Sequence, residues 1–148
     1  MAGDTTWSNY LFESTLMLKS GEGNAGLIFR VNDPGPNPDQ MRGYYAGIDR
    51  HTLYLGKMNN NWKALATVDL AKIGRSIDPN AWNLLRVAVQ GDRIRVWLNP
   101  RHDDTAAQID LRDQDQTVLK GCVGVRTLDT EAWFADVVVL PVEVLNGN

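Results

Sequence analysis

The sequence predicts an all-β protein, a sandwich or barrel of antiparallel strands. Three observations carry that prediction. Apolar residues recur with period two along most of the chain, Gly-, Asn- and Pro-containing turns interrupt the pattern at short intervals, and almost no stretch follows the helical period. The length, 148 residues, suits a single domain over 1–148, with a strand-bearing core over about 7–144.

Residues 7–19 read as a long first strand, with Tyr10, Phe12 and Leu16 on one face and Leu11, Glu13, Thr15 and Met17 on the other. Gly21-Glu22-Gly23-Asn24 reads as a turn. Residues 25–31 follow as a strand, with Ala25, Leu27, Phe29 and Val31 on one face and Gly26, Ile28 and Arg30 on the other. Pro34, Gly35, Pro36 and Pro38 make 32–42 an irregular loop, stiff enough to wall a binding site. Residues 43–49 and 52–58 are the next strands, and an Asn59-Asn60-Asn61 turn leads to a strand over 62–68. Leu70, Ile73 and Ile77 allow a short helical turn within 69–80. The clearest hairpin joins 82–90 to 93–99 through Gly91-Asp92. A short strand over 108–111, then strands over 121–127 and 133–144, complete the chain.

Fifteen basic and eighteen acidic residues give a net charge of −3. Such a balance argues against nucleic acid or an anionic membrane as partner, since both need a basic excess. No apolar run reaches the roughly 20 residues of a membrane-spanning helix, and the opening Met-Ala-Gly-Asp-Thr-Thr lacks the pattern of a signal peptide. A single cysteine, Cys122, reads as an inert thiol in a strand, and His51 and His102 read as solvated loop residues. No cofactor is called for. The acids Asp103, Asp104, Asp110, Asp113 and Asp115, or Asp136 with backbone oxygens, leave room for a structural calcium, but their spacing is not that of an EF-hand and reads better as a solvated acidic face.

Phosphate-binding and zinc-hydrolase motifs are absent, as is the Glu-x-Asp-x-x-Glu strand of β-sandwich glucanases. Strand parity offers a different constellation. With the richer apolar faces turned inward, Glu13, Arg30, Tyr45 and Asp49 point out of one sheet, and Arg126 joins them. Gly26, Gly47 and Gly124 leave parts of that face without side chains. A polar depression of this kind suits a sugar: a carboxylate accepts from vicinal hydroxyls, an Arg fork donates to neighbouring oxygens, and an aromatic ring covers the apolar face of the sugar. A surface ion pair between Glu13 and Arg30 is the competing reading. Core packing is the usual role for each of the five tryptophans, and Trp62 and Trp133, near strand ends, offer a ligand platform as the alternative.

The runs Asn-Ala-Gly-Leu-Ile-Phe-Arg-Val at 24–31, Gly-Tyr-Tyr-Ala-Gly-Ile-Asp at 43–49, Leu-Tyr-Leu-Gly-Lys at 53–57 and Gly-Cys-Val-Gly-Val-Arg-Thr at 121–127 resemble the concanavalin A-like lectin/glucanase superfamily. The segments 82–98 and 132–139 fit it too. Within that group the chain is most similar to family 66 carbohydrate-binding modules and to the related 3-keto-glucoside hydrolase-type domains, over about 7–140. The resemblance implies a jelly-roll β-sandwich. It also implies an extracellular or cell-surface setting, a glycoside hydrolase in the same parent chain, and recognition of a terminal sugar such as the fructose end of fructans. Glu13, Arg30 and Asp49 match the recurring polar positions of those strands. The strand at 43–49 fits the binding modules better than the hydrolase-type domains. An edge strand that such domains carry before the position of Trp7 has no counterpart here.

These readings converge on a non-catalytic carbohydrate-binding module for one or two sugar units. The expected ligand-binding residues are Glu13, Arg30, Tyr45 and Asp49, with Arg126 and Trp133 beside them. A hydrolase or lyase of 3-keto-glucosides, with Glu13 or Asp49 as base, is the alternative. A structural or interaction domain of a larger surface protein is the second.

Overall fold

The computed structural model describes residues 1–37, 40–101 and 106–142. His102, Asp103, Asp104 and the end of the last expected strand, beyond Val142, lie outside the described residues. Eight strands are described: β1 (Tyr10–Asn32), β2 (Arg42–Ile48), β3 (Thr52–Asn59), β4 (Trp62–Asp69), β5 (Asn83–Gln90), β6 (Arg93–Leu98), β7 (Ile109–Arg112) and β8 (Cys122–Pro141). All of them pair antiparallel.

β1 is the seam of the molecule. Its first half pairs with β5, its second half with β2, and β8 runs along the other edge of both halves. The order β4-β3-β2-β1-β5-β6-β7 is therefore one hydrogen-bonded sheet folded on itself. The fold gives two layers, a front sheet of β4, β3, β2 and the second half of β1, and a back sheet of the first half of β1 with β5, β6 and β7. The result is an antiparallel jelly-roll β-sandwich.

The expected turn at 21–24 is not a break in the strand. Gly21 pairs with Thr130 and Asn24 with Leu128, so the β1–β8 ribbon stays paired as it passes from one layer to the other. Register shifts at Leu18/Ser20 and Gly21/Asn24 absorb the bend. They also move the inward face from even positions (Tyr10, Phe12, Leu16, Leu18) to odd ones (Ala25, Leu27, Phe29, Val31). For the same reason the two expected last strands are the single strand β8. The β5–β6 hairpin and β7 form where the alternation placed them.

Between the layers Phe12, Leu16, Leu27, Phe29, Tyr44, Leu55, Leu85 and Val96 are all fully buried. Each side chain of this size contributes about 1.5–3 kcal/mol on burial. One 3-10 turn, Leu70–Ile73, is capped by the Asp69 side chain, which accepts from Ala71 N at 3.1 Å. It plugs the core with Leu70, and Ile77 follows, while Ile73 stays exposed.

A buried ionic network ties β2 and β3 to the chain after β7. Lys57 Nζ lies 2.7 Å from Asp113 Oδ2, Tyr44 Oη donates to the same oxygen at 2.6 Å, and Val118 N donates to Tyr44 Oη at 3.1 Å. Burial acts to raise the Asp113 carboxyl, and the hydrogen bonds from Lys57 and Tyr44 outweigh it, leaving the group below its ordinary value.

Candidate functional site

The outer face of the front sheet carries the site, and its floor follows from register. Arg126, Gly26, Gly47, Tyr54 and Thr67 form one row across β8, β1, β2, β3 and β4. Gly124, Ile28, Tyr45, Gly56 and Ala64 form the next. Paired residues share a face, so large groups stand at both ends of the first row and two glycines lie in the middle. The hollow between is a groove of about 360 Å³ lined by Asn24, Tyr45, Tyr54, Trp62, Ala64, Thr67, Arg126 and Leu128. That volume falls at the lower end of small-molecule sites.

The glycine floor is covered by flat rings rather than bare. Tyr45 lies along its own strand onto Gly47, where an added Cβ would collide with the phenol. Trp62 lies on Gly56 in the same way. The two rings meet edge to face, with centroids 6.0 Å apart at 65°. Arg126 places its guanidinium 5.0 Å from the Tyr45 ring centre, within cation–π range, and donates from Nη1 to Met58 Sδ at 3.2 Å. Tyr45 Oη donates to Asn24 Oδ1 at 2.5 Å. Burial raises the Tyr45 phenol well above its ordinary value, with the Arg126 charge acting the other way.

Polar groups complete the walls. Tyr54 Oη donates to Asp49 Oδ2, and Asp49 Oδ1 accepts the backbone N–H of His51 and Thr52, both at 2.8 Å. This carboxylate thus caps the β2–β3 turn and orients the Tyr54 hydroxyl. Trp62 is 38% exposed, enough to present a ring to a ligand. The groove combines aromatic surface with a guanidinium, an amide and three hydroxyl-bearing side chains, including Thr67.

Of the residues expected from sequence, Tyr45 and Arg126 line this groove, and Asp49 stands behind its wall. Three others lie elsewhere. Glu13 belongs to the back sheet, where its Oε2 meets Arg86 Nε at 2.7 Å across the β1–β5 pair. The inferred Glu13–Arg30 juxtaposition fails because the ribbon bend puts the two halves of β1 in different layers.

Arg30 is corrected most sharply: it is fully buried, not outward-facing. The pairing of β1 shifts around it, between Phe29 and Asn32 toward β2 and between Ile28 and Val31 toward β8, and its φ is +50°. A non-glycine residue in this region costs on the order of 1–2 kcal/mol. The bulge turns the side chain inside, where it donates to Ser8 O (3.0 and 2.8 Å), Gly91 O (2.6 Å) and Val118 O (3.0 Å), while its own N–H donates to Tyr10 Oη at 2.8 Å. Arg30 is a buried clamp joining the N-terminal segment, the β5–β6 turn and the approach to β8. Desolvation lowers its guanidinium below the ordinary value, opposed chiefly by Tyr10.

Trp133 is half exposed on β8 opposite Met17, with Lys19 Nζ 4.2 Å over its ring, and does not line the groove. Of the acids that left room for calcium, Asp110 pairs with Arg93 at 2.7 Å, Asp113 with Lys57, and Asp115 with Lys63 at 3.5 Å. Among the described residues no three His, Cys, Asp or Glu side chains converge.

Tyr54, Asn24 and Thr67 escaped the sequence reading. Tyr54 was within reach, because Leu53 and Leu55 face inward and the two-residue Arg50-His51 turn sets Gly47 opposite Tyr54. Asn24 was hidden by its assignment to a turn.

The family model of the 3-keto-alpha-glucoside-1,2-lyase-like domain matches residues 1–140 of this chain. Among solved structures, the carbohydrate-binding module CBM66 from Bacillus subtilis is similar, with a TM-score of 0.69 and 25% identity over 89% of this chain and 74% of that one. Sheep galectin-11, in complex with glycerol, gives a TM-score of 0.62 at 11% identity over 94% and 95% of the two chains. The galectin LEC-6 of Caenorhabditis elegans gives 0.61 at 10% identity over 93% and 88%. At these identities the galectins share the fold alone. No curated protein sequence matches this chain.

Proposed function

Because this chain belongs to the 3-keto-alpha-glucoside-1,2-lyase-like domain family, we propose that it handles a carbohydrate, and that it does so as a binding module holding one or two sugar units in the groove of the front sheet. One observation carries this reading: a groove lined by Trp62, Tyr54 and Arg126, with the Tyr45 ring at its base. Trp62 offers an aromatic surface for the C–H face of a sugar ring. Arg126, Asn24, Thr67 and Tyr54 offer donors and acceptors for its hydroxyls. The likeness to CBM66 supports the same reading. A shallow groove and a single sugar unit predict a Kd near the millimolar range, about 4 kcal/mol. An extracellular setting, where polysaccharide is met, goes with this role.

The resemblance to family 66 modules makes the fructose end of fructans the first ligand to try. Titration calorimetry against levan, inulin, fructo-, xylo- and gluco-oligosaccharides tests the proposal. One class should bind, and Trp62→Ala should lose it. A folded protein silent to the whole panel would overturn the binding reading.

A second reading, elimination or hydrolysis of a 3-keto-glucoside, is favoured by the Tyr54–Asp49 hydrogen bond at the groove wall. There the Tyr54 hydroxyl, backed by a carboxylate, is the group placed to exchange a proton with a bound sugar. Turnover of a 3-keto-disaccharide that Tyr54→Phe abolishes would establish it. Absence of turnover at high protein concentration would exclude it.

A further inference from the structure

Trp62 lines two hollows. One is the groove described above. The other is a smaller hollow of about 160 Å³ lined by Lys57, Asn59, Asn61, Trp62, Lys63, Asp115 and Gln116. This volume is about half the roughly 300 Å³ at which small-molecule sites begin. Alone it is too small to hold a ligand of its own, but it shares Trp62 with the larger groove. We propose that the two hollows are successive seats of one site, divided by Trp62, and that the ligand is a neutral oligosaccharide of at least two units whose second unit is read by Asn59, Asn61 and Gln116. The inference rests on the carbohydrate reading of the groove and names the ligand class more narrowly.

The chemistry of the second seat points to hydroxyls rather than to a charged group. Its three amide side chains each offer both donor and acceptor, as a neutral sugar requires. Its exposed charges oppose each other, with Lys63 Nζ 3.5 Å from Asp115 Oδ2. Asn61 Oδ1 also accepts from the backbone N–H of Trp62 at 3.1 Å, which orients the amide at the start of β4.

The far wall is fixed in advance by the buried network. Lys57 Nζ bonds Asp113 Oδ2 and the carbonyl of Asp115, Thr117 Oγ1 donates to Asp113 O, and Tyr44 Oη anchors Asp113 and Val118. A buried Lys–Asp pair is weak evidence for stability by itself. Here it holds the 115–116 segment against the β3–β4 turn, which reduces the ordering a ligand must impose.

Calorimetry on the whole chain with matched pairs tests this: fructose against levanbiose, xylose against xylobiose, and glucose against cellobiose. In the accepted series the disaccharide should bind about tenfold more tightly than the monosaccharide. Asn61→Ala and Gln116→Gly should each remove most of that gain and leave the monosaccharide Kd unchanged. Glycine at 116 suits the φ of +48° found there, so a failure of the turn variant to fold leaves the second variant decisive. Equal affinities for mono- and disaccharide, or a gain that survives both variants, would overturn the second seat while leaving the groove reading intact. Binding of neither sugar in any pair would overturn the groove reading and this inference together.

Discussion

The two outer faces of the sandwich share strand β1, yet they are built on opposite plans. On the back sheet Arg86, Arg93 and Arg112 each meet a carboxylate, at 2.7, 2.7 and 2.6 Å, and Trp97 is buried under Arg95, whose guanidinium lies 5.3 Å from its ring centre. The side chains of these pairs fill that face. On the front sheet Gly26, Gly47 and Gly56 interrupt the rows, the Tyr45 and Trp62 rings lie over Gly47 and Gly56, and a groove remains beside those rings. Charge alone therefore does not mark a site on this fold. The back face is the richer in charge, and the front face carries the groove.

Variants sharpen that contrast. The largest effect is expected where the front sheet is tied to the loop beyond β7. Lys57→Met leaves the Asp113 carboxylate buried without its cation, at a cost of about 3–5 kcal/mol, read by chemical denaturation. Asp113 is held below its ordinary carboxyl value, so it contributes stability at pH above about 3.9. That contribution disappears as the pH falls through the lower value of the folded state. The variant should accordingly raise the midpoint of acid unfolding. An unchanged midpoint would show that the pair does not control it.

Next comes Trp62→Ala, which removes the dividing ring and should weaken saccharide binding by at least about 2 kcal/mol, as truncation of a binding anchor does, with little change in melting temperature. Arg126→Ala should follow, losing a charge-assisted hydrogen bond worth about 1.5–3 kcal/mol. Calorimetry reads both variants. On the back face, Glu13→Ala or Arg86→Ala breaks a partly exposed pair worth under about 1 kcal/mol and should leave saccharide affinity unchanged. A large loss of binding in Glu13→Ala would erase the distinction between the faces.

Much of the front face was legible in the sequence because alternation is reliable within one regular strand. The inward set Tyr44, Ala46 and Ile48 fixed the outward set Tyr45 and Gly47; carrying the same parity through the two-residue turn after Asp49 would have added Tyr54, which was missed. Arg126 followed from Val123, which faces the core, although Val125 in the same parity is 44% exposed. Parity fails where a strand changes register. Arg30 sits at a bulge with positive φ, and no local pattern distinguishes it from an outward arginine. Glu13 was placed correctly as outward, but on the wrong layer, because pairing across the ribbon bend joins residues far apart in the chain. The partners that decide both cases, Arg86 for Glu13 and the carbonyls of Ser8, Gly91 and Val118 for Arg30, are contributed by distant segments.

The five tryptophans give the most direct test of where a ligand sits. Their indole N–H resonances, followed by heteronuclear NMR during titration with a bound oligosaccharide, report separately on the groove (Trp62), the back sheet (Trp97) and the outer ribbon (Trp133). Trp62 should shift in a saturable manner while Trp97 and Trp133 stay still. Saturable shifts at Trp97 or Trp133 with Trp62 unmoved would place the ligand elsewhere and contradict the account.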